Sequence, residues 1–125
     1  MTYKYDVCVV GGLGHIGLPL GIVFSSKGLK VCLQDINAES AKIVSSGSLP
    51  FVEYEAEPLL KESLENGNLS ISLDPNVISQ SKNIIIAIGT PVDEYMNSKT
   101  RLFLEFISSL KQHLNPDQLI VIRSS

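Results

Sequence analysis

A dense cluster of glycines stands directly after an apolar run near the start of the chain. Residues 5–10 read YDVCVV, a short β-branched run that predicts a buried strand. The next segment, GGLGHIGLPLG at 11–21, holds five glycines, and apolar residues recur at helical spacing from His15 to about Lys27. Because glycine weakens strands and helices alike, such a cluster indicates that the backbone turns tightly there and approaches something closely.

Strands and helices are predicted to alternate along the rest of the chain. Apolar, β-branched runs predict further strands at 30–35, 68–73, 83–89 and 118–123. Capping residues and apolar stripes predict helices at 37–46, 56–66 and 102–114, with a brief helix after Asp74. This alternation predicts an α/β fold, a doubly wound parallel sheet with right-handed crossovers, in one domain over residues 1–125.

No helix or strand is predicted that would pack against the last predicted strand. A complete six-stranded sheet would need another helix and strand after Ser125, so the sheet is expected to be truncated after about its fifth strand. The apolar run LIVI at 119–122 then forms an uncovered edge, which is prone to aggregation or to pairing with another chain. We therefore expect a marginally stable chain, or a homodimer formed through this edge.

Charge and composition narrow the class of partner. Apolar residues make up 44% of the chain and charged residues 18%, as in ordinary soluble globular proteins. The net charge of −3, with scattered lysines, argues against a nucleic-acid partner. No apolar run approaches the roughly 18–20 residues that a membrane span needs, and no secretory signal is predicted.

The two cysteines, Cys8 and Cys32, both lie inside apolar runs. Buried, reduced thiols are therefore expected rather than a disulfide or a metal pair, and no metal site is predicted. Reduced thiols in a chain without a predicted secretory signal favour a cytoplasmic location.

The spacing Gly12-x-Gly14-x-x-Gly17 is typical of a dinucleotide-binding turn between a strand and a helix. In such a turn Gly12 is expected to form the tight turn and Gly14 to let the backbone approach a pyrophosphate, while Gly17 lets the helix pack closely on the strand. The pyrophosphate would lie at the helix N-terminus, where unpaired N–H groups and the positive end of the helix dipole point outward.

Asp35 ends the second predicted strand, eighteen residues beyond Gly17. A carboxylate at this place accepts hydrogen bonds from the adenosine ribose in dinucleotide-binding domains. Alternatively, Asp35 is an acid that stands before Ile36 and Asn37 and caps the helix that follows them. A carboxylate would repel a 2′-phosphate and no arginine follows nearby, so NAD is preferred over NADP, while flavin dinucleotides share the glycine spacing.

The two histidines are less informative. His15 lies at the predicted helix start, where it either donates a hydrogen bond to the pyrophosphate or merely packs. His113 lies near a helix C-terminus, which tolerates a cation, and is expected to be solvated.

Several stretches together resemble one known family. VVGGLGHIGLPLG at 9–21, DIN at 35–37, PFVEYEAEPLL at 50–60, IAIGTPVDEY at 86–95 and the terminal VIRSS occur in the order seen in UDP-glucose/GDP-mannose dehydrogenases. The chain resembles the N-terminal NAD-binding domain of that family, and most of all its UDP-N-acetylmannosamine-type members. The resemblance implies a Rossmann fold and an NAD cofactor. It also implies an activity in polysaccharide biosynthesis that oxidises the C6 hydroxymethyl of a UDP-sugar to a carboxylate, with two NAD in successive hydride transfers.

The resemblance also implies which residues face the cofactor: His15, Ile16, Asp35, Thr90, Ser124 and Ser125. Thr90 would lie against the ribose on the nicotinamide side, and Ser125 stands where the family has threonine. Glu53 occupies the place of the family's loop glutamate, where it either touches the site or is a solvated acid. His15 replaces a tyrosine that is usual in the family, and Gly11 stands where a bulkier residue is common.

No residue of the chain is predicted to be catalytic. The family's catalytic cysteine, its lysine and its sugar site lie far downstream, and nothing here aligns with them. Cys8 and Cys32 are mid-strand and expected to be inert, so the chain alone should not turn over substrate.

Two other interpretations stay open. One is the NAD-binding domain of a β-hydroxyacid dehydrogenase, against which GTPVDEY and PFVEYEAEP argue. The other is a non-catalytic nucleotide-binding fragment.

Overall fold

The computed structural model of the protein describes residues 2–50, 56–88 and 100–123. In these ranges the chain forms five β-strands: β1 Tyr5–Val10, β2 Val31–Gln34, β3 Leu69–Ser72, β4 Ser81–Ile86 and β5 Leu119–Ile122. The α-helices are α1 Gly17–Ser26, α2 Ala38–Ser45, α3 Ala56–Glu65 and α4 Thr100–Leu110. Two short 3₁₀ helices follow β3 and α4, at Pro75–Ile78 and Lys111–His113. Within the same ranges, none of the helices has the length and apolarity to cross a bilayer.

The sheet is parallel throughout, in the order β3-β2-β1-β4-β5. Strands β2 and β3 therefore lie on one side of β1, and β4 and β5 lie on the other. This is the doubly wound topology that the sequence predicts. Val10 at the end of β1 pairs with Gln34 on one side and with Ile86 on the other. The direction of winding changes between β1 and β4, and ligands of such sheets bind outside the strand ends at that point.

Alternate residues of the central strands pack into two separate clusters, one on each face of the sheet. On one face Val9 and Leu33 pack with Leu18 and Ile22 of α1 and Leu60 of α3. The opposite face carries Cys8, Val10, Cys32, Val77, Ile78, Ile84, Ile86 and Leu110. Both faces of the centre are thus covered, as the near-continuous apolar runs of parallel strands require.

Cys8 and Cys32 are buried free thiols on adjacent strands. They are direct partners in the β1–β2 register. Hydrogen bonding to Cys32, together with burial, raises the pKa of the Cys8 thiol. The prediction of buried, reduced thiols is confirmed.

Glycine ends the first helix as predicted. Gly28 has φ +94°, and its amide donates to the Ser25 carbonyl at 3.0 Å while the Leu29 amide donates to the Phe24 carbonyl at 3.3 Å. These two bonds satisfy carbonyls that a helix terminus otherwise leaves without donors.

The start of β4 differs from the prediction. The strand begins at Ser81 rather than at residue 83, because Ser81 pairs with Tyr5 although it and Lys82 are polar. The Ser81 hydroxyl is buried and donates to the Val77 carbonyl at 2.8 Å, so its polarity is satisfied within the fold.

All four side chains of β5 are exposed, by between 40% and 61%. Leu119 and Val121 lie on one face of the sheet, and Ile120 and Ile122 lie on the other. Among the described residues β5 is thus an edge strand of the sheet with partly exposed apolar side chains, and the predicted edge position is confirmed. Pairing through it stays a prediction.

Candidate functional site: a crevice at the ends of β1, β2 and β4

A crevice opens at the carboxyl ends of the central strands, with a volume of ≈ 400 Å³. The β1–α1 turn forms one wall, and the segments that follow β2 and β4 form the others. Its lining residues are Gly11, Gly14, His15, Ile16, Asp35, Ile36, Ala87 and Ile88. The structure thus brings together four of the residues that the sequence analysis proposed for cofactor binding: Gly14, His15, Ile16 and Asp35.

The tight turn after β1 depends on Gly11 rather than on Gly12. Gly11 has φ +79°, a left-handed conformation that favours glycine, whereas Gly12 has no positive φ. Gly12 is restricted by packing instead, because a Cβ there would lie 2.8 Å from the Leu33 Cβ and 2.8 Å from the Val9 carbonyl oxygen. The sequence analysis assigned the turn to Gly12, and the extra glycine before it takes that role.

Gly17 holds the start of α1 close to the turn. A Cβ on Gly17 would overlap the carbonyl oxygen of Gly11 and lie 3.0 Å from the Gly12 Cα. The helix therefore begins in direct contact with the end of β1, an approach that only glycine permits.

Gly14 is restricted neither by a positive φ nor by close packing. Its φ is not positive, and a Cβ there would come within 4 Å of one atom of the described residues beyond its chain neighbours, the Gly11 carbonyl oxygen at 3.6 Å. That distance is ordinary van der Waals contact, so packing in the described structure does not require glycine at this position. The space beside the Gly14 Cα is left open toward the crevice, as a backbone that receives a ligand requires.

The N-terminus of α1 has no side-chain cap. Ile16 occupies the N-cap position, cannot accept a hydrogen bond through its side chain, and no acidic residue lies in the first turn. The Leu18 amide donates to the Gly14 carbonyl at 3.0 Å, but the Ile16 and Gly17 amides find no acceptor in the part of the chain that the structure describes. Two N–H groups without an acceptor among the described residues, at the positive end of a helix, suit an anion such as a pyrophosphate.

The carboxylate of Asp35 is half-buried and accepts three backbone hydrogen bonds. Oδ1 accepts the amides of Ile36 at 2.7 Å and Asn37 at 3.2 Å, and Oδ2 accepts the amide of Leu13 at 3.1 Å. The cap of α2 is Asn37, whose side-chain oxygen accepts the Ser40 amide at 3.0 Å. Asp35 is therefore not the N-cap of α2, and its carboxylate lies on the crevice wall.

Of the four proposed residues that line the crevice, His15 is exposed at its mouth. Thr90, Ser124, Ser125 and Glu53 lie outside the described residues, as do residues 51–55 and 89–95 of the segments that carry the family resemblance.

A second cavity, of ≈ 220 Å³, was missed by the sequence analysis. Ile36, a residue that is 88% exposed, lines both this cavity and the crevice. Phe106, Leu110 and His113 form another wall, where His113, which the sequence analysis expected to be solvated, is half-buried. The signal was present, since these residues follow one another at the i, i+4, i+7 spacing of a single helix face.

A doubly wound sheet with a glycine turn, an uncapped helix N-terminus and an acid after β2 defines a dinucleotide-binding domain of the Rossmann class. The profile of the UDP-glucose/GDP-mannose dehydrogenase family, NAD binding domain, matches residues 5–125. The chain belongs to this family, within its NAD-binding domain, and NAD is its cofactor.

Individual relatives agree with this assignment. The chain is 32% identical to the UDP-N-acetyl-D-mannosamine dehydrogenase of Methanococcus aeolicus, over 95% of this chain and 27% of that protein. It is 30% identical to the UDP-glucose 6-dehydrogenase of Rickettsia felis, over 91% of this chain and 26% of that protein. Among solved structures, UDP-D-ManNAc dehydrogenase from Pyrococcus horikoshii superposes with a TM-score of 0.85 at 30% identity, covering 95% of this chain and 28% of that one. The chain thus spans about a quarter of the length of these relatives.

Proposed function

We propose that this chain is the NAD-binding domain of a nucleotide-sugar 6-dehydrogenase, which oxidises the C6 hydroxymethyl of a UDP-sugar to a carboxylate. The family match supports the reaction class, and relatives named for UDP-N-acetyl-D-mannosamine and UDP-glucose support a UDP-sugar substrate. When bound, NAD supplies the hydride acceptor at its nicotinamide ring. Everything else that these residues contribute is binding and orientation.

The single observation that carries the binding proposal is the open space beside Gly14. Glycine is unnecessary there for the described fold, yet a side chain would narrow the crevice at the uncapped end of α1. We assign the diphosphate to this place, against the Ile16 and Gly17 amides, with His15 at the mouth. Because the amides and the helix dipole supply the positive potential, no cationic side chain is needed.

We assign the adenosine ribose to Asp35. A carboxylate at this position attracts ribose hydroxyls and repels a 2′-phosphate, which selects NAD over NADP. Thr90, Ser124 and Ser125 complete the proposed set, on the nicotinamide side.

Sugar recognition and covalent chemistry belong, in this proposal, to a substrate domain outside residues 1–125. The family relatives are about four times as long as the matched region, and the thiols of Cys8 and Cys32 are fully buried. A fully buried thiol cannot reach a substrate as a nucleophile, so we expect no turnover by this chain alone. The two free thiols also fit a cytoplasmic location, and the family resemblance is the ground for proposing a role in polysaccharide biosynthesis.

Calorimetric titration and thermal melts with NAD and NADP test the proposal. A ligand that binds only the folded state at 100 times its Kd adds about 2.7 kcal/mol of stability, which raises Tm by on the order of 10 °C for a domain of this size. We expect that shift with NAD and a much smaller one with NADP. Absence of a shift with NAD, or equal shifts with the two, would contradict the assignment. Production of NADH from a UDP-sugar by this chain alone would contradict the expected inactivity.

A further inference from the structure

The carboxylate of Asp35 links two segments that are distant in sequence. Oδ1 holds the turn that leads into α2 through Ile36 and Asn37, whereas Oδ2 holds the glycine turn through the Leu13 amide, 22 positions earlier in the chain. Leu13 stands between Gly12 and Gly14 and is 4% exposed, so its amide is removed from solvent and needs a partner in the protein.

The Leu13 bond is the last of three that fasten the glycine turn to the end of β2. The Gly11 and Gly12 amides both donate to the Gln34 carbonyl, at 2.8 and 3.0 Å. The Leu13 amide, one residue further on, donates to the side chain of the next residue after Gln34, at 3.1 Å. Beyond it the Gly14 amide turns back to the Gly11 carbonyl at 3.3 Å, so the Asp35 contact fixes the turn immediately before the open position at Gly14.

The number of acceptor positions on the carboxylate limits what else it can bind. An ionised carboxylate has about four lone-pair positions. Three of them already accept amides among the described residues, two on Oδ1 and one on Oδ2. One position on Oδ2 is left for a ligand.

We propose that Asp35 is a positioning residue for the glycine turn, which holds Leu13 in place for the diphosphate and offers its remaining acceptor position to one hydroxyl of the adenosine ribose. The first half concerns the protein without any ligand. The second half rests on the function proposed above. In this arrangement the loss of Asp35 weakens the binding of the diphosphate as well as that of the ribose.

A cycle between a protein variant and a ligand variant separates this role from a contact with the ribose alone. The proteins are the wild type and Asp35→Ala, and the ligands are NAD and an NAD analogue without the 2′- and 3′-hydroxyls of its adenosine ribose. We expect Asp35→Ala to weaken NAD by on the order of 100-fold and still to weaken the analogue by about tenfold, because the Leu13 bond is lost with either ligand. Equal affinity of the two proteins for the analogue would overturn the proposal.

Hydrogen exchange of the Leu13 amide, followed by NMR without dinucleotide, tests the positioning role directly. We expect Asp35→Ala to speed this exchange by about tenfold or more relative to core amides of β1, because the amide loses its acceptor. Asp35→Asn carries the same test if the alanine variant does not fold. Its amide has one accepting atom and cannot serve both segments, so faster exchange is expected either at Leu13 or at Ile36 and Asn37. Unchanged exchange at Leu13 in Asp35→Ala, or at all three of these amides in Asp35→Asn, would overturn the proposal.

Asn37→Ala is the matched control. It removes the cap of α2 beside Asp35 and leaves the carboxylate and Leu13 intact. We expect it to lower stability without changing Leu13 exchange relative to core amides or the affinity for the analogue; equal effects of Asn37→Ala and Asp35→Ala on both would overturn the proposal. If the wild type fails to bind NAD, the proposed function fails, while the exchange measurement still decides the role of Asp35 in the turn.

Discussion

The backbone of Gly17 lies so close to the carbonyl oxygen of Gly11 that a Cβ on Gly17 would overlap it. This contact joins the first turn of α1 to the end of β1. The packing of Gly17 against Gly11 therefore fixes the start of α1, and with it the place of Ile16 at the crevice where we propose that the diphosphate binds.

Replacement of Gly17 by alanine should destabilise the protein in the absence of NAD. The methyl group must displace backbone atoms of the turn rather than a flexible side chain, and overpacking of this kind costs about 1–3 kcal/mol. Urea unfolding of Gly17→Ala against the wild type measures the change. Ser26→Ala, at an exposed position of the same helix, should change stability by less than about 0.5 kcal/mol. Equal stability of Gly17→Ala and the wild type would show that the helix can move away from the turn at no cost.

The cysteines should resist alkylation while the protein is folded. The hydrogen bond between the two thiols raises the pKa of Cys8 and lowers that of Cys32, but neither side chain has exposed surface, so a thiolate on either is inaccessible to a reagent. With iodoacetamide at neutral pH we expect reaction only through unfolding, and hence slower reaction when NAD is added. Mass spectrometry of timed samples gives the rate. Labelling of either cysteine in the native state as fast as in urea would contradict this prediction. It would show that the hydrophobic cluster around Cys8 and Cys32 opens locally.

The edge strand β5 should mediate self-association. Among the described residues β5 pairs with β4 alone, so the backbone groups on its other side lack a partner strand there, and its four apolar side chains are exposed. A charge on such an edge strand opposes pairing. We expect Val121→Lys to weaken concentration-dependent association by about tenfold or more, as measured by analytical ultracentrifugation. Leu104→Lys places the same charge on an exposed apolar position of α4 and serves as the control. A wild-type chain that stays monomeric at every concentration would contradict the prediction.

The sequence predicts the elements well where local chemistry determines them. Gly28, Gly47 and Gly67 all have positive φ and follow helices at the predicted places, because a left-handed residue at a helix end is a local requirement. Asn37 and Asp74 likewise cap the segments expected of them. The strand order follows from the alternation of elements and the handedness of their connections, and it matches the doubly wound prediction.

Non-local relationships were beyond reach of the sequence pattern. The polar residues at the start of β4 belong to the strand because they pair with β1. No local pattern in the sequence predicts this pairing. The division of roles between Gly11 and Gly12 depends on how closely Leu33 of the neighbouring strand approaches. The bond from Leu13 to Asp35 is of the same kind, because it requires the folded arrangement of two distant turns.

Replacement of Gly14 by alanine is the most direct test that the space beside this residue belongs to the dinucleotide. In the described structure the added methyl group meets one atom beyond the chain neighbours, at an ordinary contact distance, so we expect the Tm without ligand to stay unchanged. Calorimetric titration of Gly14→Ala with NAD should show affinity reduced by about tenfold or more, equivalent to at least roughly 1.4 kcal/mol. Gly12→Ala, whose methyl group would clash with Leu33, should instead lose stability before any ligand is added. An unchanged Tm with weakened NAD binding is the predicted result, and a Gly14→Ala protein that binds NAD as tightly as the wild type would contradict it.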